Sequence, residues 1–436
     1  MKKTRKRPNA YSLQTRLIYG KPVSKSWDYA HHVIPPISSS STFRLDTARR
    51  GAQGFADFAH HGDGTGIGSR TPIHIYDRLG EPNKELLEEN LAAAECGEMA
   101  VTFCTGMAAI SAVLGALTGT GDEIVAHKIL YGCTYSLLTN WYPRYKISTQ
   151  FVDLKNTNVL RGHITDRTRV VYFETPVNPT LELIDIAAVI DIVKEVNRRR
   201  PPSRKIFVVI DNTFASPFCQ RPLELGADFS VSSLTKAICG FGTDMGGVVV
   251  GPQWANDMMM LYRKDFGGAL AAKSAWPIMV YGLSSLPTRV RQQMTSAAEI
   301  ATFLENDPRV KFVSYPGLQS FPQHELAQRQ MRDFDGNFAP GSLLYFVLNA
   351  KTPKMRHDKG ERFIDYLAKH AYAITLAVSL GHIRTLVEHP SSMTHSAIPL
   401  EEQVKSGMDP GGIRLSIGLE APSDLLHDIS KALEHL

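Results

Sequence analysis

The segment Ser232-Ser233-Leu234-Thr235-Lys236 sets a lysine beside hydroxyls, directly after the apolar run Phe229–Ser232, and upstream the apolar run Ile206–Ile210 ends on Asp211. Short apolar runs of this kind read as buried strands, and ligands of a parallel sheet gather beyond the carboxyl ends of its strands. An acid and a lysine at two such ends can share one crevice. Pyridoxal 5'-phosphate (PLP) needs that pair: a carboxylate keeps the pyridine nitrogen protonated so that the ring acts as electron sink, and a lysine carries the aldehyde carbon. Taken singly, Asp211 reads as a turn cap and Lys236 as a surface lysine; their company singles them out.

A phosphate site is the second requirement. Phe103-Cys104-Thr105-Gly106-Met107 joins a predicted strand to a predicted helix. The free N–H groups of Gly106 and Met107 would point outward at the positive end of the helix dipole, and glycine permits close approach. Ser233 and Thr235 would add hydroxyl donors.

The elements that must position these residues follow from periodicity. Pro82 opens a helix whose Leu86, Leu87, Leu91 and Ala94 share a face, and Gly97 ends it. Strands are predicted at Met99–Phe103, Glu123–His127, Val170–Phe173, Ile206–Ile210, Phe229–Ser232 and Gly247–Val250, with helices at Met107–Leu117 and Ile184–Arg198. Such alternation predicts an α/β fold with a mostly parallel sheet covered on both faces. A long helix at Ser284–Glu305, strands at Ser342–Leu348 and Ile413–Ile417 and a final helix near Ser423–Leu436 predict a smaller C-terminal α/β domain. The expected division is an N-terminal arm and loops over 1–75, a cofactor-binding large domain over 76–275 and a small domain over 276–436. The first ~70 residues, with Ser38 to Ser41 and the Gly/His stretch 60–66, show little periodicity and read as an arm or site-flanking loops.

Composition excludes several classes. The chain of 436 residues is 43% apolar and 21% charged with a formal charge of +5, an ordinary globular balance. Its densest basic run, Lys2 to Arg7, reads as a solvated tail rather than a nucleic-acid patch, and the polar residues after it do not make a secretion signal. No window approaches the ~18 apolar residues of a membrane span. Five cysteines, never spaced Cys-x-x-Cys, point to free thiols in a reducing, cytoplasmic setting with no structural zinc site. Gly240-x-Gly242 is followed by Gly246, one position too far for a dinucleotide fingerprint, and leads into a strand, so an NAD-type oxidoreductase is disfavoured.

The longer strings resemble one family. Asp211-Asn212-Thr213-Phe214-Ala215-Ser216-Pro217, Arg221-Pro222-Leu223-Glu224-Leu225-Gly226-Ala227-Asp228 and Ser233-x-Thr235-Lys236 resemble the signature of the Cys/Met-metabolism PLP enzymes, the cystathionine γ-synthase-like branch. Ordered matches run from Tyr76 to Glu420: Tyr76 to Pro82, Gly106 to Ile110, Glu174 to Thr180, Ser379-Leu380-Gly381, His389-Pro390 with Met393 to His395, and Arg414 to Glu420. The resemblance implies a fold type I PLP-dependent enzyme, a homotetramer built from dimers that share active sites. It implies that Lys236 holds the cofactor as a Schiff base and moves protons, that Asp211 pairs with the ring nitrogen and that Asn178 meets the ring hydroxyl. Ser233, Thr235, Gly106 and Met107 would hold the phosphate, with Tyr76 and Arg78 added from a neighbouring subunit. Tyr131 would stack on the ring and act on the leaving group, while Arg414 and Ser379 would hold the substrate carboxylate, a planar fork suiting that task better than lysine.

Secondary positions lean toward γ-elimination of a sulfur amino acid such as methionine. Leu130-Tyr131-Gly132-Cys133-Thr134-Tyr135 resembles the methionine γ-lyase loop, although Cys133 also reads as a structural thiol. Lys264-Asp265 resembles a pair that joins the loop cysteine in a network, with an exposed ion pair as the alternative. Val378, before Ser379, stands where cystathionine-processing members carry a glutamate; valine suits an uncharged thioether tail. A γ-replacement enzyme such as an O-acylhomoserine sulfhydrylase, or a cystathionine lyase or synthase, remains the alternative. The chain departs from the family at Ala237 and at Gly240-Phe241-Gly242-Thr243-Asp244, where relatives show an aromatic after the lysine and Gly-His-x-Asp.

Overall fold

The strands form where the apolar runs lie. In the computed structural model, which describes residues 11–19, 32–59, 73–393, 401, 403–404 and 407–436, seven of them make one sheet. They are β1 (Met99–Phe103), β2 (Glu123–His127), β3 (Ser148–Val152), β4 (Thr168–Glu174), β5 (Phe207–Asp211), β6 (Phe229–Ser233) and β7 (Gly247–Gly251), in the order β1-β7-β6-β5-β4-β2-β3. The neighbours from β6 to β3 are parallel, while β7 runs antiparallel to both β6 and β1. β2 and β7 are buried at every position, as sheets covered on both faces require. The basic run at 2–7, the stretch 60–66 and Thr394-His395 lie outside the described residues.

A second, five-stranded sheet of order β10-β11-β12-β9-β8 comprises β8 (Val310–Ser314), β9 (Leu343–Leu348), β10 (Ile374–Leu376), β11 (Thr385–Glu388) and β12 (Gly412–Ser416). Only the β10–β11 pair is parallel. The register of β11 against β12 sets Glu388 opposite Arg414.

Helices differ from expectation at the start of the chain. α1 (Leu13–Tyr19) and α2 (Ala48–Ala59) form where periodicity was weak. α1 is held by tertiary contact: Leu13 and Leu17 are buried in the same core as Leu87 and Leu91 of α3 (Pro82–Ala94). α3 starts on the Glu81 carboxylate, which accepts from Lys84 N–H, with Pro82 in its first turn. α4 (Gly106–Leu117) is capped by the Thr105 hydroxyl, and α5 (Ile186–Asn197) by Asp185. After α6 (Asn256–Phe266), the long α7 (Ser284–Asn306) serves both cores: Leu286 and Val290 pack with the first sheet's helices, and Ala297, Ile300 and Leu304 with the second sheet. α8 (Pro353–His370) and α9 (Pro422–Glu434) cover that second sheet through Phe363, Leu367, Leu425 and Ile429. α8 escaped sequence reading because it buries only a narrow stripe. Among the described residues, no helix is long and apolar enough to cross a membrane.

Candidate active site

Three neighbouring strands end together. β4 ends on Glu174, β5 on Asp211 and β6 on Ser233, with Glu174 level with Asp211 in the register. Asp211 is buried; its Oδ1 accepts from Thr213 N–H at 2.9 Å, and the Tyr172 hydroxyl donates to its Oδ2 at 3.5 Å. Thr213 also accepts the Ser233 N–H through Oγ1 at 2.9 Å, so one threonine ties the acid-bearing turn to the lysine-bearing strand. Burial raises the Asp211 pKa, opposed first by Thr213. Glu174 is pushed well above the usual carboxylate range, by burial first and then by Asp211. Two buried carboxyls side by side cannot both ionise cheaply, and the greater rise at Glu174 favours its protonated form.

Behind Asp211 lies another buried acid. Glu95, at the end of α3, accepts from Asn212 Nδ2 at 3.1 and 3.2 Å and fixes the residue next to Asp211. Burial raises its pKa from 4.5 to about 7. A carboxyl with a raised folded pKa binds its proton more tightly in the native state, so its contribution is fully present below 4.5 and is lost as pH rises through about 7. At about 1.4 kcal/mol per unit, the loss is on the order of 3 kcal/mol. The thermal midpoint should therefore fall between about pH 5 and about pH 8, and Glu95→Gln, which keeps an acceptor for Asn212, should flatten that slope. Calorimetry of both proteins across this range checks it; parallel slopes would remove Glu95 as the cause.

The lysine lies after β6. Its backbone is pinned by the Lys236 N–H to the Ser233 carbonyl and by the Gly240 N–H to the Lys236 carbonyl. Lys236 Nζ donates to Ser379 Oγ at 2.8 Å. Burial lowers its pKa, and Arg414 lowers it further. Both effects favour the free amine that a nucleophilic lysine needs.

At the start of α4, Ala108 N–H is taken by Thr105 Oγ1 and Ala109 N–H by the Thr105 carbonyl, which leaves the Gly106 and Met107 amides at the open end. A Cβ on Gly106 would lie 2.9 Å from Ser233 Cβ, so only glycine lets this helix end approach Ser233. Thr235 Oγ1 accepts the Gly246 N–H at 3.1 Å, which orients its hydroxyl.

Arg414 is buried on β12. Its Nη1 donates to Asn178 Oδ1 at 2.9 Å and its Nη2 to the Ser379 carbonyl at 2.9 Å, and Nη2 forms an ion pair with Glu388 Oε2 at 3.0 Å. These partners fix the plane of the guanidinium fork. Glu388, 1% exposed, is a residue that sequence reading missed. It adjoins the quoted His389-Pro390 string, but only strand register reveals its partner. Glu174 was missed for the same reason, and Thr213 and Glu95 because their partners meet them only through tertiary packing.

The other predicted residues take varied places. Tyr131 N–H donates to Glu174 Oε1 at 2.6 Å. Its phenol pKa is pushed up to about 12 by burial and then by a hydrogen bond with Cys133, so these two loop residues are brought together. Val378 is 57% exposed beside Ser379. Lys264 and Asp265 form an ion pair of 2.9 Å near the surface, and among the described residues no hydrogen bond joins them to Cys133. Instead the Lys264 carbonyl accepts from Arg78 Nη1 at 2.6 Å, and the Arg78 guanidinium lies 5.5 Å from the exposed Tyr76 ring. Tyr76 and Arg78 make no recorded hydrogen bond to Gly106, Met107, Ser233 or Thr235 of their own chain.

The arrangement fits PLP by its donor set: a desolvated lysine after one strand, a buried acid at the end of the neighbouring strand, and amides at a helix end that a Cβ would obstruct. The comparisons agree. A family model described as Cys/Met metabolism PLP-dependent enzyme matches residues 14–434. The chain is 40% identical over 403 residues to L-methionine gamma-lyase of Pseudomonas deceptionensis, covering 92% of each chain. It is 34% identical over 428 residues to cystathionine gamma-lyase of Dictyostelium discoideum, covering 98% of this chain and 99% of that one. The solved structure of cystathionine gamma-lyase from Lactobacillus plantarum complexed with L-serine superposes with a TM-score of 0.81 at 30% identity, covering 97% of this chain and 99% of that one.

Proposed function

Since this chain belongs to the Cys/Met metabolism family of PLP-dependent enzymes, we propose that it carries out the γ-elimination of L-methionine and related sulfur amino acids, giving 2-oxobutanoate, methanethiol and ammonia. The observation that carries this choice is the uncharged wall beside Ser379, where Val378 offers no carboxylate to a distal ammonium. The greater identity to an L-methionine gamma-lyase than to a cystathionine gamma-lyase supports it.

In this reading each residue has a task. Bound PLP supplies the electron sink. Lys236 anchors it and then, as the free amine favoured by its burial, takes the protons at the substrate's Cα and Cβ. Asp211 holds the ring nitrogen protonated, and Asn178, its oxygen already held by Arg414, turns its amide to the ring hydroxyl. Gly106, Met107, Ser233 and Thr235 hold the phosphate. Arg414 holds the substrate carboxylate, with Ser379 at the same end, and Tyr131, with Cys133 beside it, serves the departing sulfur. Tyr76 and Arg78, exposed and unused by their own phosphate site, would complete the site of a second copy within a tetramer. Lys264 and Asp265 would act at that same boundary by holding Arg78. Residues 76–275 would form the cofactor domain and 276–436 the smaller one.

A substrate panel scored for 2-oxoacid release tests the reading. Methionine should yield 2-oxobutanoate and methanethiol faster than cystathionine yields 2-oxobutanoate. Silence with methionine, together with homocysteine formed from O-acetylhomoserine and sulfide, would assign γ-replacement instead.

A further inference from the structure

The places where this chain departs from its relatives meet one loop. Ala237 follows the lysine, and a Cβ on Gly381 (φ 73°) would lie 2.4 Å from the Ala237 nitrogen, so the loop 378–383 lies flat on the segment after Lys236. The Ile383 N–H donates to the Gly240 carbonyl at 2.8 Å. Beneath that segment, Arg289 donates to the carbonyls of Ala237, Ile238 and Gly282 and lies under the Phe241 ring at 5.4 Å. An imidazole meets this segment from the opposite side: a Cβ on Gly242 (φ 72°) would meet His382 Cε1 at 2.9 Å, so His382 is seated on Gly242.

The His382 ring reaches the lysine through one hydroxyl. Lys236 Nζ donates to Ser379 Oγ at 2.8 Å, and Ser379 Oγ lies 3.5 Å from His382 Nε2. Ser379 itself is held at φ 94°, a conformation that needs support from its surroundings. With Nζ as the donor in this contact, the Ser379 oxygen accepts from Lys236 and its single proton must go elsewhere.

We propose that His382 is a positioning residue for Lys236: its Nε2 takes the Ser379 hydroxyl proton in a hydrogen bond, and the Ser379 oxygen stays turned to Nζ. The inference rests on Lys236 being the cofactor lysine. It requires the neutral imidazole with its proton on Nδ1. Burial and then Lys236 hold His382 below the ordinary histidine range, which keeps that form at neutral pH. The groups packed around the ring add little other charge: α7 turns the neutral Gln293 amide to the His382 carbonyl, β12 gives the Ser416 hydroxyl to Gly381 N–H, and Arg289 is engaged with carbonyls. Once protonated, Nε2 would donate to the same oxygen as Lys236, setting two donors on one hydroxyl and leaving its proton without that acceptor. The support is therefore lost as pH falls through the His382 pKa.

The test uses the PLP-loaded enzyme and two variants. His382→Phe keeps ring bulk against Gly242 and removes the acceptor; His382→Gln keeps an acceptor that does not titrate. Two readouts are followed against pH: the visible absorption of the bound cofactor and kcat/KM for methionine. In His382→Phe we expect kcat/KM to fall about 3- to 10-fold, the weight of one neutral hydrogen bond, and the midpoint of the absorption titration to move. His382→Gln should recover most of that loss while lacking the acid limb of the wild type. A His382→Phe enzyme whose absorption titration and acid limb overlay those of the wild type would overturn the inference. Absence of the visible band from the wild type as well would refute the cofactor lysine itself, and the inference with it.

Discussion

Lys236→Ala should abolish the visible absorption of the bound cofactor and lower 2-oxoacid release by at least about 10³-fold, since it removes both the anchor and the proton carrier. Stability should barely change. Among the described residues the side chain makes one hydrogen bond, to Ser379 Oγ, whereas the turn that presents it is held by the Lys236 N–H to the Ser233 carbonyl and the Gly240 N–H to the Lys236 carbonyl, which alanine preserves. The decisive comparison is absorbance and turnover on one preparation with its thermal midpoint recorded. A variant that kept the visible band would sink the assignment of Lys236, and a collapsed midpoint would mean that the lysine holds the fold.

The second large effect falls on Arg414. Arg414→Leu leaves Glu388 buried without its cross-strand cation, a change that costs about 3–5 kcal/mol of stability. It also removes the guanidinium that would hold the substrate carboxylate, and kcat/KM should fall about 30-fold to several thousand-fold. The double variant Arg414→Leu/Glu388→Leu separates the two losses. Replacing a whole buried pair by apolar residues is often neutral or favourable, so the thermal midpoint should recover while turnover stays low. Recovery of turnover in the double variant would show that Arg414 serves the fold and not the substrate.

What the sequence disclosed was local. Asp211, Lys236, Ser233 and the Gly106-Met107 turn were legible because each sits where a short apolar run stops, and the run and its stop lie within a few residues. Glu388 and Glu174 were illegible because their roles arise from register: Glu388 gains a cation only when β11 lies beside β12, and Glu174 gains a rival acid only when β4 lies beside β5; Glu95 gains its partner only when the end of α3 packs on Asn212. Arg414 was found, but its grip on Asn178, 236 residues away, was not. Of the helices, α1 was missed because two buried leucines in seven residues set no period. Lys264-Asp265 was read through a likeness to a cysteine network, yet within one chain the pair stands beside Arg78.

The pairing of Glu174 with Asp211 at two adjacent strand ends also bears on how the pocket receives its ring. Burial and mutual repulsion both favour keeping one proton between two acids at one level. The pocket thus favours a single negative charge over two, and a cationic ring bound at this level would leave it close to neutral.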